Sequence, residues 1–217
     1  MLVFDFDWSL INENSDTWVI EQCAPQIYED IKALRCEMQW TKLMDYAVGL
    51  MMTQHGVTID DIAASLHRIP IFEENIAIIR HCHKLDIDMA IISDANTYYI
   101  DEILNHLNLR HMFKYLITNS SALEDNVLRI RAHQAEEKPH SCIHCPVNLC
   151  KGAVLDTILQ EYRDRGAVVY VGDGSGDFCP SLRLTVQDTI CCRENWTLHK
   201  KVMKERSFAA MIRPWKN

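Results

Sequence analysis

The chain has 217 residues, 48% of them hydrophobic, and a formal charge of −8 at neutral pH. That apolar content excludes a disordered polymer, and no apolar run approaches the roughly 20 residues needed to span a bilayer. The acidic balance excludes a nucleic-acid backbone as ligand, because that partner requires clustered Lys and Arg.

Taken in chain order, Leu2-Val3-Phe4 predicts a short buried strand over 2–5, running into Asp5-Phe6-Asp7-Trp8-Ser9-Leu10. Asp5 interrupts any secretory-signal pattern, and nine cysteines without such a signal point to reduced thiols, so the expected compartment is cytoplasmic. From 12 to 80 the spacing predicts helices, over Trp18 to Leu34, Trp40 to Gln54 and Ile59 to Arg68, and no strand. A second buried strand is predicted over 87–93, ending in Ser93-Asp94-Ala95-Asn96. Tyr99, Ile100, Ile103, Leu104 and Leu107 then recur at helical spacing. A short strand near 115–118 and an edge strand or hairpin arm over 127–132 follow. Lys151-Gly152 opens a helix whose face is Val154, Leu155, Ile158, Leu159 and Tyr162, with Gly166 as its stop. A β-branched strand over 167–171 leads into Gly172-Asp173-Gly174-Ser175-Gly176-Asp177. A further strand over 189–192, a basic helix near 199–206 and a short tail through Pro214-Trp215 complete the chain. Strands alternating with helices imply a mostly parallel sheet with helices on both faces.

Polar groups gather at the ends of the predicted strands, where open α/β sheets bind ligands. Asp5 and Asp7 stand two residues apart where the chain leaves a strand, so both carboxylates can enter one pocket. That spacing suits phosphoryl transfer through a covalent aspartyl intermediate, with one acid as nucleophile and the other as proton donor. A solvated acidic turn is the plainer reading of the same residues. His140-Ser141-Cys142-Ile143-His144-Cys145 with Cys150 has one zinc-like Cys-x2-Cys pair but lacks a second well-spaced pair. It reads either as a cramped metal cage or as a thiol-rich loop that positions Lys151. Residues 13–80 hold five Lys/Arg against eleven Asp/Glu, which is either an attraction for a cationic substrate or a solvated acidic surface.

Asp5-Phe6-Asp7, Ser93-Asp94, Lys151-Gly152 and Gly172 to Asp177 resemble, in order, the four motifs of the haloacid dehalogenase superfamily. More narrowly, Asn14-Ser15-Asp16, Ser93 to Asn96, Cys145-Pro146-Val147-Asn148-Leu149-Cys150-Lys151-Gly152 and Gly172 to Pro180 are similar to the phosphoethanolamine/phosphocholine phosphatase family, which also holds pyridoxal-phosphate phosphatases. The resemblance covers roughly residues 2 to 184. It implies a Rossmann-like three-layer α/β core with a parallel sheet, built from 1–12 and 81–217, and a helical cap over 13–80 inserted after the first strand. A single helical layer is the alternative to the cap.

By the same resemblance Asp5 is the nucleophile and Asp7 the general acid, then the base for water. Ser93 bonds a phosphate oxygen, and Lys151 offsets charge on the nucleophile and the phosphoryl group. Mg2+ is implied, held by the Asp5 carboxylate, the Asp7 carbonyl and Asp173, with Asp177 either ligating directly or ordering a metal-bound water. Asp16 and Asp94 face the cationic end of the substrate, with Trp8 and Trp18 offering an aromatic surface; for Asp16 helix capping is the alternative. The expected reaction is hydrolysis of a small phosphomonoester, phosphoethanolamine or phosphocholine first, with pyridoxal phosphate and thiamine monophosphate as alternatives. A phosphotransferase and a non-catalytic scaffold are the other readings of this fold. Neither nucleic acid nor membrane is an expected partner.

Overall fold

The computed structural model describes residues 1–135, 137–162, 166–205 and 208–216. Strand β1 (Leu2–Phe4) lies at the centre of a seven-stranded sheet. After it the chain runs through helices α1 (Ser15–Cys23), α2 (Tyr28–Ala33), α3 (Trp40–Gln54), α4 (Ile59–Leu66) and α5 (Glu73–Lys84) before returning as β2 (Met89–Asn96). Helix α6 (Thr97–His106), strands β3 (Tyr115–Glu124) and β4 (Val127–Arg131), and helix α7 (Lys151–Glu161) follow. Strand β5 (Val169–Gly172), the short helix α8 (Phe178–Ser181), β6 (Thr189–Arg193), α9 (Thr197–Lys204) and β7 (Met211–Trp215) close the described chain. The expected basic helix near 199–206 corresponds to α9, and its residue 206 lies outside the described residues.

The sheet order is β4-β3-β2-β1-β5-β6-β7, and every pair is parallel except the β3–β4 hairpin. The inner strands are apolar throughout because helices cover both faces. Strand alternation divides them cleanly: Leu2, Phe4, Met89 and Ile91 join the core beneath α1, α3, α4 and α6, while Val3, Ala90 and Ile92 join the core beneath α7 and α9. The registers Phe4↔Ile91 and Phe4↔Val171 align the C-terminal ends of β1, β2 and β5. The Asp5, Ser93 and Asp173 segments thus leave the sheet at one edge. Among the described residues no helix is long and apolar enough to cross a membrane.

Three departures from the sequence expectation have local causes. The helix expected over 18–34 is broken at Ala24-Pro25, where proline lacks an N–H and disfavours helical geometry in the residue before it. Helix α5 was not expected, because its stretch carries three polar or charged residues for each apolar pair and buries only Ile79. The residue-80 boundary falls inside this helix, which packs against β2. Near residue 70, Ile11 bridges Ile71 and Asn12 N donates to Pro70 O at 2.8 Å. The tail at 211–215 is an edge strand parallel to β6, a position that tolerates Pro214. Its Trp215 ring meets Phe72 edge-on, 5.5 Å between centroids. The hairpin arm at 127–132 is strand β4, joined to β3 through Asp125 (φ 48°) and Asn126 (φ 63°), the left-handed pair that a two-residue hairpin needs.

Candidate active site

Lys151, the first residue of α7, is the hub of the strand-end cluster although only 2% exposed. Its Nζ lies 2.9 Å from Asp5 Oδ1, 3.1 Å from Asp177 Oδ1 and 3.6 Å from Asp94 Oδ2. Burial alone lowers the lysine pKa, but the Asp177 and Asp5 carboxylates outweigh it and raise the value well above the usual range. A buried lysine held charged beside acids is a fixed positive site for an anion bound at the same place.

Asp177 is fully buried and its carboxylate is saturated. Oδ1 accepts from Tyr170 OH at 2.8 Å and from Lys151 Nζ, while Oδ2 accepts from the backbone N–H groups of Asp173 (3.1 Å) and Gly174 (2.9 Å). Two carboxylate oxygens offer about four acceptor sites, and all are used. The loop fits this tightly because residue 172 is glycine: a Cβ there would lie 2.6 Å from the Asp177 carboxyl carbon. Among the described residues the Asp173 carboxylate accepts only from Ser9 Oγ, at 3.0 Å, and burial with the neighbouring Asp177 pushes its pKa up to about 7. Asp5 accepts from Phe6 N at 2.7 Å; burial and then Asp177 raise its pKa well above the carboxylate range, against the pull of Lys151.

Oxygens of Asp5, Asp173 and Asp177 all lie within 4.8 Å of one another. Three buried carboxylates beside one lysine carry more negative charge than Lys151 offsets, so the cluster takes up a proton or a cation. An all-oxygen donor set suits Mg2+, which keeps several waters and uses few carboxylates. Asp5 and Asp173 have oxygen free to contribute; the saturated Asp177 fits the ordering role better than direct ligation.

Asp7 stands at the rim, half-buried, where Asn14 Nδ2 (3.1 Å) and Ser15 N (3.0 Å) donate to its two oxygens. Burial raises its pKa to about 6, while the Ser15 backbone N–H works against the rise. Ser93, 1% exposed, accepts from Ala95 N at 3.1 Å. Asp94 accepts from Asn148 Nδ2 at 2.8 Å and Asn119 Nδ2 holds its carbonyl at 2.6 Å.

Asp16 is buried in the first turn of α1, but it is not the cap: Asn14 is, accepting from Thr17 N at 2.9 Å. The Asp16 carboxylate accepts from the Trp40 indole N–H at 2.8 Å, and burial, with Asp7 adding to it, pushes its pKa up to about 8. The two tryptophans expected near the substrate are engaged elsewhere. Trp8, with a left-handed φ of 58°, lies 5.3 Å from the Trp196 ring, and the Arg193 guanidinium, 4.2 Å from Trp196, donates to its carbonyl at 3.1 Å. Trp18 donates to Ser65 O at 2.9 Å. Trp40 is the aromatic residue at Asp16, and sequence reasoning missed it along with Tyr170, Ser9, Asn14 and Asn148. Asn14 and Asn148 lay inside quoted motifs, so a signal existed; Tyr170 reads as an ordinary core strand residue. A groove of about 1030 Å³ between α3 and β4 reaches the cluster only through Asn148, so it is not the site of the chemistry.

A protein-family profile described as "Putative Phosphatase" matches residues 1–217. The "Thiamine phosphate phosphatase-like protein" of Arabidopsis thaliana is 38% identical over 207 residues, covering 93% of this chain and 83% of its own. The Mus musculus protein named "Pyridoxal phosphate phosphatase PHOSPHO2" is 33% identical over 218 residues, covering 94% and 86%. A solved phosphoserine phosphatase with bound substrate superposes with a TM-score of 0.61 at 14% identity, covering 94% of this chain and 97% of that one, a likeness of fold.

Proposed function

The chain belongs to the putative-phosphatase family of haloacid dehalogenase-type phosphoric monoester hydrolases, and on that premise we propose that it cleaves a small phosphomonoester whose other end is cationic. The observation that carries the proposal is the pairing of a strand-end cluster of Asp5, Lys151, Asp173 and Asp177 with a second acid, Asp16, buried beside Trp40 and electrostatically coupled to Asp7.

Asp5 attacks phosphorus; the bond to the ester oxygen breaks as an Asp5–phosphorus bond forms. Lys151 holds the Asp5 carboxylate in place and offsets the charge of the incoming phosphoryl oxygens. Asp7, its pKa raised to about 6, is protonated in enough molecules near neutral pH to give its proton to the leaving alkoxide. The same carboxylate then takes a proton from water, which attacks phosphorus, releases inorganic phosphate and restores Asp5. Ser93 donates to a phosphate oxygen. Asp5, the Asp7 carbonyl and Asp173 would hold Mg2+, with Asp177 fixing the loop, and the bound ion would supply charge neutralisation to the transferred group. Helices α1 to α4 serve as the cap that excludes water during transfer.

At the other end, Asp16 and Asp94 attract the substrate cation and Trp40 supplies a ring beside it. A cation drives the Asp16 proton off, so an amine-bearing ester binds better than a neutral one. Phosphoethanolamine and phosphocholine lead. Thiamine monophosphate is the second reading, favoured by the thiamine-phosphate name of the Arabidopsis thaliana relative and by the aromatic ring beside Asp16. The test is phosphate release with and without Mg2+ across phosphoethanolamine, phosphocholine, thiamine monophosphate, pyridoxal phosphate, phosphoserine and pyrophosphate. A cationic ester leading in kcat/KM by tenfold or more, about 1.4 kcal/mol, is the expected result. A lead by pyrophosphate, or turnover indifferent to metal, contradicts it.

A further inference from the structure

Behind the carboxylate cluster four thiols converge from two segments. Cys142, Cys145 and Cys150 come from the irregular stretch 137–150 and Cys179 from α8, just past Asp177. Their sulfurs all lie within 4.8 Å of one another, with Cys142 Sγ 3.5 Å and Cys150 Sγ 4.0 Å from Cys179 Sγ. Four thiolates on a tetrahedral zinc, at about 2.3 Å each, stand about 3.8 Å apart. A disulfide uses two sulfurs and gives no reason for the other two to join them; all nine cysteines of the chain are free.

The surroundings are built for these sulfurs. Residue 152 is glycine, and a Cβ there would overlap the Cys179 sulfur. Cys150 is the N-terminal cap of α7, an 11-residue helix whose open N–H groups favour a thiolate. The Arg183 guanidinium, paired with Asp156 at 3.5 Å, lies with the Cys179 sulfur beside Gly152, a positive group close to a dianionic tetrathiolate. The histidines that compete in sequence are used otherwise: the His140 ring nitrogens meet Pro146 O (2.8 Å) and Cys142 N (3.2 Å), and His144 stands edge-on to Phe178, 5.3 Å between centroids. An irregular stretch of this length inside a compact domain needs something to order it.

We propose that Cys142, Cys145, Cys150 and Cys179 hold a structural zinc ion that fastens the loop ahead of Lys151 to helix α8 behind Asp177. With four protein ligands the site is closed and takes no part in the bond-breaking step. Its work is positional: Cys150 precedes Lys151 directly and Cys179 follows Asp177 by two residues, so the metal fixes the lysine and one of its carboxylate partners together.

The test is zinc content by elemental analysis of the chain purified in reductant and Mg2+ without chelator. One zinc per chain is expected, unchanged by Asp5→Asn and lost in the double variant Cys142→Ser/Cys179→Ser. Refolding in Co2+ is expected to give thiolate-to-cobalt charge-transfer bands and tetrahedral ligand-field bands, which carboxylate ligands do not produce. Thiol titration of the unaltered protein serves if the variant fails to fold: four of the nine thiols are expected to react only after a zinc chelator is added. A folded, zinc-free chain whose thiols all react freely, or a Co2+ form without thiolate bands, overturns the site. These readouts need no substrate, so their failure leaves the phosphatase reading standing.

Discussion

Asp177 and Asp16 are both buried carboxylates, yet they are held in opposite ways. Asp177 accepts four hydrogen bonds, from Lys151, Tyr170, Asp173 and Gly174. Among the described residues Asp16 has one donor, the Trp40 indole, and burial raises its pKa to about 8. A carboxylate with a full set of donors is an anchor for the loop around it. A carboxylate with burial and one donor keeps a proton until a cation arrives. On the proposed function, the phosphate end is preorganised, while the organic end is completed by the substrate.

The comparison breaks first at the phosphate end. Asp5→Asn is expected to lower kcat by at least about a thousandfold while the fold and the Tm persist, because the nucleophile has no substitute. Full activity in that variant ends the aspartyl mechanism. Asp177→Asn is expected to cost about 2–4 kcal/mol in denaturant titration, since it leaves donors and Lys151 without their buried acceptor. Tyr170→Phe removes one of the four donors and is expected to cost about 1 kcal/mol, with KM nearly unchanged.

At the organic end the signature is pH. Asp16 carries a folded-state pKa of about 8 against an unfolded value near 3.9, so the folded chain holds an extra proton between them. Its contribution to stability is complete below the unfolded value and falls by about 1.4 kcal/mol per pH unit as pH rises toward the folded one. Asp7, raised to about 6, acts in the same direction over a narrower window. Denaturation midpoints of the metal-free chain are expected to fall from pH 5 to pH 8, and less steeply in Asp16→Asn. Equal slopes in the two proteins remove the buried proton from Asp16.

The anchored end was also the legible one. Asp5, Ser93 and Asp173 sit at or just past the ends of compact apolar runs, and such runs announce buried strands whose ends meet in a parallel sheet. The α/β class and the parallel strands could be read this way, and the motifs at those strand ends carried the family resemblance. Partners that arrive through tertiary folding could not: Trp40 reaches Asp16 from another helix, and Ser9 reaches Asp173 across the sheet. The fourth thiol, Cys179, lies far in sequence from the other three and was invisible to any spacing rule. Helix α5 and strand β7 escaped because a mostly polar helix face and an edge strand containing proline carry weak periodicity.

The most direct test sets phosphocholine against its uncharged carbon isostere, 3,3-dimethylbutyl phosphate, and compares kcat/KM for the unaltered protein, Asp16→Asn and Asp177→Asn. The account predicts that the unaltered chain prefers the cation by tenfold or more. It also predicts that Asp16→Asn erases the preference by weakening only phosphocholine, and that Asp177→Asn lowers both esters alike. No preference in the unaltered protein, or an equal fall of both esters in Asp16→Asn, contradicts the division between an anchored phosphate end and a substrate-completed organic end.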